Sequence, residues 1–399
     1  MIPEGMRDVL PAEAAELHAL EELLRARFVA YGYREVRTPV IEFVETLEAA
    51  ADDAIAGGYR AFDEQGRVLM LRTDMTVPVA RLAATRFEDK PLPLRFSYVG
   101  SSFRTMTASR AQNGEFLQAG CELIGAGGPQ ADAEVVALVC DVLAATGLKE
   151  YQVSIGTVAF HKALMESLRL PPDQAEAALE ALADRDYALL ESIIGNADVD
   201  EEAQRALQKA LQLGGDDDAL TQARKLASSA GMEHAVDHLV RVRDLVEDYG
   251  FEGVVQLDFG LYPGLSYYTG LILEAYAPGV GLPVVTGGRY DRLLGAFEFD
   301  VPGIGFAVAL DRLNVALEEA RVALPSRDRA LAFVGGLDDP AFVTELRRHG
   351  WDVVALPSDA ASAVAPKLYR DGGQWVLDRG GGQVLRGSLR DLRRALRLS

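Results

Sequence analysis

The stretch FLQAGCELIG, residues 116–125, alternates in character along its length. Successive side chains of a β-strand point to opposite faces. One face of this strand carries only apolar residues, which we expect in the core: Leu117, Ala119, Cys121 and Leu123. The other face carries Gln118 and Glu122 on either side of Gly120, and a strand glycine leaves space in which a ligand can lie. The stretch therefore predicts a strand with one packed face and one face that is either solvent-exposed or part of a binding site.

Further segments with strand character lie on both sides of this stretch, at residues 68–74, 94–104 and 253–276, and a helical pattern covers 131–146. Several strands in succession with few long helices are typical of a mostly antiparallel sheet in an α+β domain. The composition changes between about 160 and 248 to Ala, Leu, Glu, Asp and Gln, which predicts a helical insertion into that domain. We therefore predict one large domain over residues 1–325.

Residues 328–399 show a different pattern, in which strands and helices alternate. Strands are expected at ALAFVGG (330–336), DVVALP (352–357) and QWVLD (374–378), with a helix in each interval, and a last helix follows GQVL (382–385). This region is predicted to be a small C-terminal α/β domain. Its tail, RGSLRDLRRALRLS, has leucines at helical spacing and is interpreted as a docked amphipathic helix rather than a nucleic-acid contact.

Polar residues from separate segments complement Gln118 and Glu122. The stretch LRTDMT supplies Asp74, FSYVGSSFR supplies Arg104, and GLSYYTG supplies Tyr267 and Tyr268. An amino acid requires a carboxylate for its ammonium group, a cation for its carboxylate and polar groups for its side chain. These residue types therefore predict an amino-acid-binding pocket.

Seven blocks of the chain, in order through residues 1–322, resemble histidyl-tRNA synthetase. They are PEGMRDVLP, GYREVRTPVIE, LRTDMT, FR before EFLQAGCELIG, GLSYYTG, GGRYD and GIGFAVALDRL. The resemblance implies the class II synthetase fold and a homodimer built on the second block. It also implies that Glu122, Tyr267 and Tyr290 surround an imidazole, that Asp74 binds the α-ammonium, and that Gln118 and Arg104 lie near the carboxylate.

The resemblance also places Arg104 on the α-phosphate of ATP and Arg312 on its adenine. Three of the residues assigned by the resemblance have structural alternatives. Tyr290 could equally pack under the glycine turn GGRYD, and Arg104 and Arg312 could form structural ion pairs.

The chain departs from the synthetase pattern where the family carries its catalytic charges. Met106 stands at the position of a glutamate, Gln112 and Gly114 stand at two loop arginines, and PGLSYY replaces RGLDYY with Pro263 and Ser266. Adenylation needs cations to neutralise the charge that develops on phosphate oxygens, and losing one such donor costs about 100- to 1000-fold in rate. No catalytic residue is therefore predicted.

A pocket kept for binding without catalysis resembles the synthetase paralogue that is the regulatory subunit of ATP phosphoribosyltransferase, which the run LRTDMTVPVARLAAT also favours. That resemblance implies a short-form catalytic subunit as partner, L-histidine as effector, and commonly a hetero-octamer. Two alternatives remain: an active histidyl-tRNA synthetase, and a synthetase-like protein with another amino-acid ligand.

Composition limits the other classes of function. The formal charge of −20 disfavours a broad nucleic-acid surface, and no apolar run approaches the roughly 20 residues of a membrane helix. The chain lacks a G-x-x-x-x-G-K loop and a complete G-x-G-x-x-G motif, so no cofactor is expected. Neither two cysteines nor the pair His234 and His238 makes a metal site, and a cytoplasmic protein is expected.

Overall fold

The computed structural model describes residues 2–50, 55–105, 114–183, 186–197, 199, 201–211, 213–214, 217–227, 229–262, 265–322, 324, 330–358, 366–380, 382–396 and 398. The chain divides into two compact units, Met1–Leu324 and Pro325–Ser399. Among the described residues, no helix combines the length and the apolar composition needed to cross a lipid bilayer.

The first unit begins with a mixture of helices and strands. In chain order these are α1 (Pro11–Ala30), β1 (Arg34–Glu35), β2 (Ile41–Phe43), α2 (Val44–Ala50), β3 (Arg60–Phe62), β4 (Val68–Leu71), α3 (Thr76–Phe87), β5 (Leu94–Phe103), β6 (Glu115–Ile124), α4 (Pro129–Ala145) and β7 (Gln152–Thr157). Pro39 separates β1 from β2, because proline cannot donate a ladder hydrogen bond.

In the described part of residues 158–248, six helices then follow without an intervening strand: α5 (Val158–Ser167), α6 (Pro172–Ala183), α7 (Tyr187–Asn196), α8 (Glu201–Ala210), α9 (Asp217–Leu226) and α10 (Ala230–Asp248). The chain returns to the sheet through β8 (Val255–Leu257), β9 (Leu271–Tyr276), β10 (Val285–Arg289) and β11 (Gly303–Ala309), and the unit's last helix is α11 (Leu310–Glu319).

The large sheet has eight strands in the order β1-β5-β6-β11-β10-β9-β7-β8. Its pairs are antiparallel except β1 with β5 and β7 with β8, and β2, β4 and β3 form a separate three-stranded antiparallel sheet. The predicted α+β class with a mostly antiparallel sheet is confirmed.

The two faces of β6 belong to different cores. Ala119, Cys121 and Leu123 pack in the cluster that includes the buried residues of α1 and α4. The opposite face lies in a second cluster with α3 and the tyrosines of the 265–290 region. Every residue of β6 from Ala119 to Ile124 is buried, and Gln118 is half-buried. The solvent-exposed alternative for the polar face of this strand is therefore wrong.

The second unit contains a five-stranded sheet in the order β13-β12-β14-β15-β16. Its elements are β12 (Ala330–Val334), α12 (Pro340–Arg348), β13 (Asp352–Leu356), β14 (Lys367–Asp371), β15 (Gln374–Asp378), β16 (Val384–Gly387) and α13 (Leu389–Ala395). A helix was expected before QWVLD, but residues 367–371 form a strand. Leu368 is buried in the core of the unit, and β14 pairs with both β12 and β15.

The tail forms the predicted docked helix, with Leu392 and Leu396 buried and Arg393 paired with Glu345.

Candidate functional site

Glu122 lies at the centre of the polar face of the large sheet. Its backbone is opposite Phe96 of β5 on one side and Gly305 of β11 on the other, and only 1% of the residue is exposed. Three hydroxyl groups donate to its carboxylate: Thr76 to Oε1 at 2.9 Å, Tyr98 to Oε1 at 3.3 Å, and Tyr290 to Oε2. Among the described residues, no cation forms an ion pair with it.

The charge on Glu122 is poorly compensated. Burial raises the pKa of its carboxyl to about 8, against the opposing effect of the hydrogen bonds from Tyr290 and Thr76, and the nearby Asp74 carboxylate raises it further. Desolvation disfavours the ionised form of a carboxyl, and a like charge does the same. The group is therefore able to accept a proton or a positively charged ligand near neutral pH.

Glycines on neighbouring strands bring these groups together. A Cβ at Gly305 would collide with the Glu122 carboxylate, and a Cβ at Gly120 would lie 2.6 Å from Cζ of Tyr98. The expectation that Gly120 leaves space for a ligand is therefore wrong, since the ring of Tyr98 fills that space. The glycine admits a hydroxyl donor to Glu122 instead.

Asp74 is the second carboxylate of the site and lies just before α3. Its Oδ1 accepts a hydrogen bond from the backbone N–H of Val77 at 3.1 Å. Burial raises the pKa of its carboxyl, while the Val77 N–H and the positive charge of Arg104 act in the opposite direction. Asp74 and Glu122 each influence the ionisation of the same tyrosines, so they share one buried site.

Three tyrosines form the aromatic wall of this site. The ring centroids of Tyr267 and Tyr268 are 4.8 Å apart, and those of Tyr267 and Tyr290 are 6.2 Å apart. The hydroxyl of Tyr290 donates to Glu122, and its ring occupies the space above Gly303 of β11 rather than the space at the glycines of GGRYD. Burial raises the pKa of all three hydroxyls, so they remain protonated donors.

Gln118 and Arg104 lie at the outer part of the same sheet face. The Gln118 Oε1 accepts a hydrogen bond from Ser102 at 2.8 Å, which leaves its amide N–H groups for another partner. Arg104 donates to the backbone carbonyl of Thr73 at 3.2 Å and lies over the ring of Phe116, 5.8 Å from its centroid.

Arg312, in the first turn of α11, is close enough to Arg104 for the two charges to interact. Its guanidinium donates to the carbonyl of Pro283 at 2.8 Å, and burial together with the charge of Arg104 lowers its pKa. Neither arginine forms an ion pair with a described residue. The alternative that Arg104 and Arg312 form structural ion pairs is therefore not met within the described ranges. Two guanidinium groups bonded to carbonyls can still bind an anion.

Two residues that donate hydrogen bonds to Glu122, Thr76 and Tyr98, were not predicted from the sequence. Thr76 follows Asp74 by two residues at the first position of α3, and Tyr98 is opposite Gly120 in the pairing of β5 with β6. The available signal for Tyr98 was a glycine and a tyrosine opposite each other on neighbouring strands. That signal can be used only when the register between the two strands is known, and the sequence does not give it.

Several of the decisive departures from the synthetase pattern, Met106, Gln112 and Pro263 with Arg110, lie outside the described residues. Ser266 and Gly114 are described, and Gly114 donates its N–H to the carbonyl of Gly5 at 2.6 Å. The structure places no arginine of the described ranges beside Glu122 in their stead.

Another buried carboxylate, Asp132 of α4, lies outside this site. It accepts hydrogen bonds from Arg289 and is 2.7 Å from Nε2 of His238 on α10, while Arg289 also pairs with Asp291 at 3.0 Å. His238 therefore has a structural partner. No group of three or more metal-ligating side chains occurs within the part of the chain that the structure describes.

The arrangement suits binding rather than bond-making. It combines two buried carboxylates, three tyrosines and one hydrogen-bonding amide, with two guanidinium groups at one end. A ligand with an ammonium group, a carboxylate and a polar ring would find a complementary partner for each.

Comparison with known proteins places this geometry in context. The family model described as histidyl-tRNA synthetase matches residues 5–313. A protein from Desulforamulus reducens named ATP phosphoribosyltransferase regulatory subunit is 40% identical over 375 residues, which cover 91% of this chain and 92% of the relative.

Two solved structures share the fold. An ATP phosphoribosyltransferase regulatory subunit/histidyl-tRNA synthetase from Bacillus halodurans superposes with a TM-score of 0.80 at 29% identity, covering 91% of this chain and 94% of the other. A histidyl-tRNA synthetase from Nostoc sp. PCC 7120 gives a TM-score of 0.81 at 20% identity and covers 100% of this chain and 98% of its own. The second likeness concerns the fold alone.

Proposed function

This chain belongs to the histidyl-tRNA synthetase family and, within it, to the ATP phosphoribosyltransferase regulatory subunits, and we propose that it activates a short-form catalytic subunit and makes that enzyme sensitive to L-histidine. It is a regulatory, non-catalytic subunit. The observation that carries this conclusion is the 40% identity over 92% of a relative bearing that name, which extends through both structural units.

The pocket supports histidine as the effector. Glu122 offers a buried acceptor for the imidazole, and Asp74 offers a carboxylate for the α-ammonium group. Gln118 and Arg104 lie on the side where the carboxylate of a bound amino acid would be placed. A zwitterionic ligand would supply the positive charge that two neighbouring buried carboxylates lack.

The chemistry of adenylation has less support. The sequence replaces a family arginine by Pro263 and an aspartate by Ser266, and the described cations near the pocket are Arg104 and Arg312. Oxyanion stabilisation depends on several donors placed together, so their partial loss removes catalysis before it removes binding.

We further propose a homodimer that assembles with the catalytic subunit, as a hetero-octamer, in the cytoplasm. The small sheet of β2, β4 and β3 supports the dimer, since it presents exposed apolar side chains: Ile41 (49% exposed), Phe43 (36%) and Phe62 (73%). An apolar patch of this kind is typical of an interaction surface. Mass photometry of the protein alone and with the catalytic subunit tests the stoichiometry.

The decisive experiment measures phosphoribosyl-ATP formation by the purified short-form catalytic subunit, with and without this chain, over a range of histidine concentrations. We expect activation by the chain and suppression of that activation by histidine. An unchanged rate, with no co-elution of the two proteins, would contradict the proposal.

The alternative of an active synthetase rests on the family model that matches residues 5–313. It predicts histidine-dependent exchange of pyrophosphate with ATP, lost in Arg104→Ala. We expect no exchange above background. Robust exchange would replace the regulatory function by this one.

A further inference from the structure

The hydrogen bonds to Glu122 determine how many more its carboxylate can accept, and therefore which ligand side chain can bind beside it. This inference rests on the proposed histidine-sensing function. We propose that Thr76 and Tyr98 determine the selectivity of the site: they fill the acceptor positions of Oε1, and with Tyr290 on Oε2 they leave the carboxylate one open position, which accepts the single N–H of an imidazole. Both residues act as positioning residues, because they act on the ligand through Glu122.

A carboxylate can accept only a limited number of hydrogen bonds. An ionised carboxylate has about four lone-pair positions, two on each oxygen. Thr76 at 2.9 Å and Tyr98 at 3.3 Å both donate to Oε1, and Tyr290 donates to Oε2. Thr76 and Tyr290 each occupy one position, a third faces Tyr98, whose single hydroxyl proton is shared between Oε1 at 3.3 Å and the Phe306 carbonyl at 3.4 Å, and the remaining one is on Oε2.

The three donors are held in place by the fold. Thr76 is the first residue of α3, and the preceding Asp74 caps that turn through the N–H of Val77. The ring of Tyr98 lies in the space left by Gly120, and its hydroxyl is also 3.4 Å from the carbonyl of Phe306. Gly305 lies directly against the Glu122 carboxylate, so a larger residue there would displace it.

A single open acceptor discriminates among amino-acid side chains by the number of donors that they bring. Neutral imidazole has one N–H, the lysine ammonium has three and the arginine guanidinium has five. Each additional donor would be buried without a partner among apolar and already bonded groups, at a cost of a factor of about 5 to 100 in affinity for each. A ring without an N–H would instead leave the open position on Oε2 unfilled.

The experiment compares three ligands by calorimetric titration of the full-length protein: L-histidine, L-lysine and thiazol-4-ylalanine, a histidine isostere in which sulfur replaces the far ring nitrogen and no N–H remains. We expect wild-type protein to bind histidine about 100-fold more tightly than the thiazole, from the value of one hydrogen bond to a charged group. Lysine should bind no better than the thiazole.

The variants test the two positioning residues. Thr76→Val and Tyr98→Phe each remove one donor to Oε1, which frees the carboxylate to turn, so the histidine-to-thiazole ratio should fall about tenfold. Thr76→Ser keeps the hydroxyl and should keep the ratio. Tyr33→Phe is the matched control, because Tyr33 is equally buried but packs in the core on the other face of β6, where its hydroxyl donates to Glu134 at 3.5 Å and not to Glu122.

The outcomes separate this inference from the function on which it rests. Histidine binding with an unchanged ratio in Thr76→Val and Tyr98→Phe would overturn the inference and leave the effector role intact. Absence of histidine binding to the wild-type protein would overturn both. Thermal unfolding of each variant establishes that the compared proteins are folded, and Tyr98→Phe, which removes the other donor to Oε1, retains the test if Thr76→Val does not fold.

Discussion

Asp132 and Glu122 are both buried carboxylates, with 0% and 1% of their surface exposed, but their surroundings differ. Asp132 is bonded to the guanidinium of Arg289 and lies 2.7 Å from His238. Glu122 is bonded to three neutral hydroxyls and has a second carboxylate nearby. A buried charge with its counter-ion joins two parts of a structure, whereas one without a counter-ion favours a ligand that brings positive charge.

The largest expected effect is on the compensated carboxylate. Arg289→Ala leaves Asp132 buried without its main cation, and breaking a buried pair from one side costs about 3–5 kcal/mol. Urea unfolding should show a loss of that size. Arg37→Ala is the control, because Arg37 is 82% exposed in its pair with Glu35 and should change stability by under about 0.5 kcal/mol. A loss below 1 kcal/mol in Arg289→Ala would contradict the comparison.

Removing the uncompensated carboxylate should have the opposite sign. The pKa of Glu122 is about 8 in the folded protein, above the roughly 4.3 of an exposed glutamate. The free energy of unfolding therefore has its full contribution from the protonated carboxyl below about pH 4.3 and loses it as pH rises through about 8. Without ligand at pH 9, Glu122→Gln should therefore have a free energy of unfolding larger than that of wild type by about a few kcal/mol, and a higher unfolding temperature. The difference should disappear toward pH 4. Thermal scans at both pH values check this, and equal curves at pH 9 would argue against it.

The same variant should lose the ligand. Glu122→Gln replaces the charged acceptor by a neutral amide, and hydrogen bonds to charged groups are about twice as strong as neutral ones. Histidine affinity is expected to fall about 100-fold, measured by calorimetry at pH 8. Retained affinity would place the effector site elsewhere in the protein.

Histidine binding should also depend on pH. An imidazole N–H needs an ionised acceptor, and at pH 7 a carboxyl with a pKa of about 8 is ionised in only about a tenth of the molecules. The groups that face Glu122 are Asp74, Thr76 and the tyrosines Tyr98, Tyr267, Tyr268 and Tyr290, and the tyrosines stay protonated. Affinity should rise several-fold from pH 7 to 8.5. Affinity that falls above pH 8 would show instead that Glu122 gives its own proton to the ring, and a flat profile would show that its ionisation does not control binding.

The smallest effect is expected at the partly exposed partner of Asp132. The side chain of His238 is 22% exposed, and Arg289 already compensates the aspartate. His238→Asn should lower stability by about 1 kcal/mol or less, since partly solvated pairs contribute little. Unfolding curves measured beside Arg289→Ala would rank the two partners, and an equal loss would mean that the histidine matters as much as the arginine.

Alternation along β6 was enough to predict that Gln118 and Glu122 share a face, and the resemblance brought Asp74 and the tyrosines to them. The role of Tyr98 was not predictable from its own segment, because it depends on the register that sets Tyr98 opposite Gly120. The same limit led to the wrong use of Gly120, since local sequence shows that space exists but not which side chain fills it.

In the second unit, a helix was expected between DVVALP and QWVLD because strands and helices alternate there, but residues 367–371 of that interval form a strand. Leu368 instead packs in the core of a strand that joins β12 and β15, and such pairing is decided by tertiary contacts rather than by local preference.

The tight fit of Gly120 against Tyr98 has a practical use in metabolic engineering, on the proposed function. Adding one methyl group, as in Gly120→Ala, would press on the Tyr98 ring and on the carbonyl of Phe306, deep inside the sheet and away from any outer surface. In a producer strain this change would remove the response of the sensor to the accumulating end product, and the shift of β6 and β11 needed to admit a Cβ against the Phe306 carbonyl oxygen would also lower the stability of the subunit.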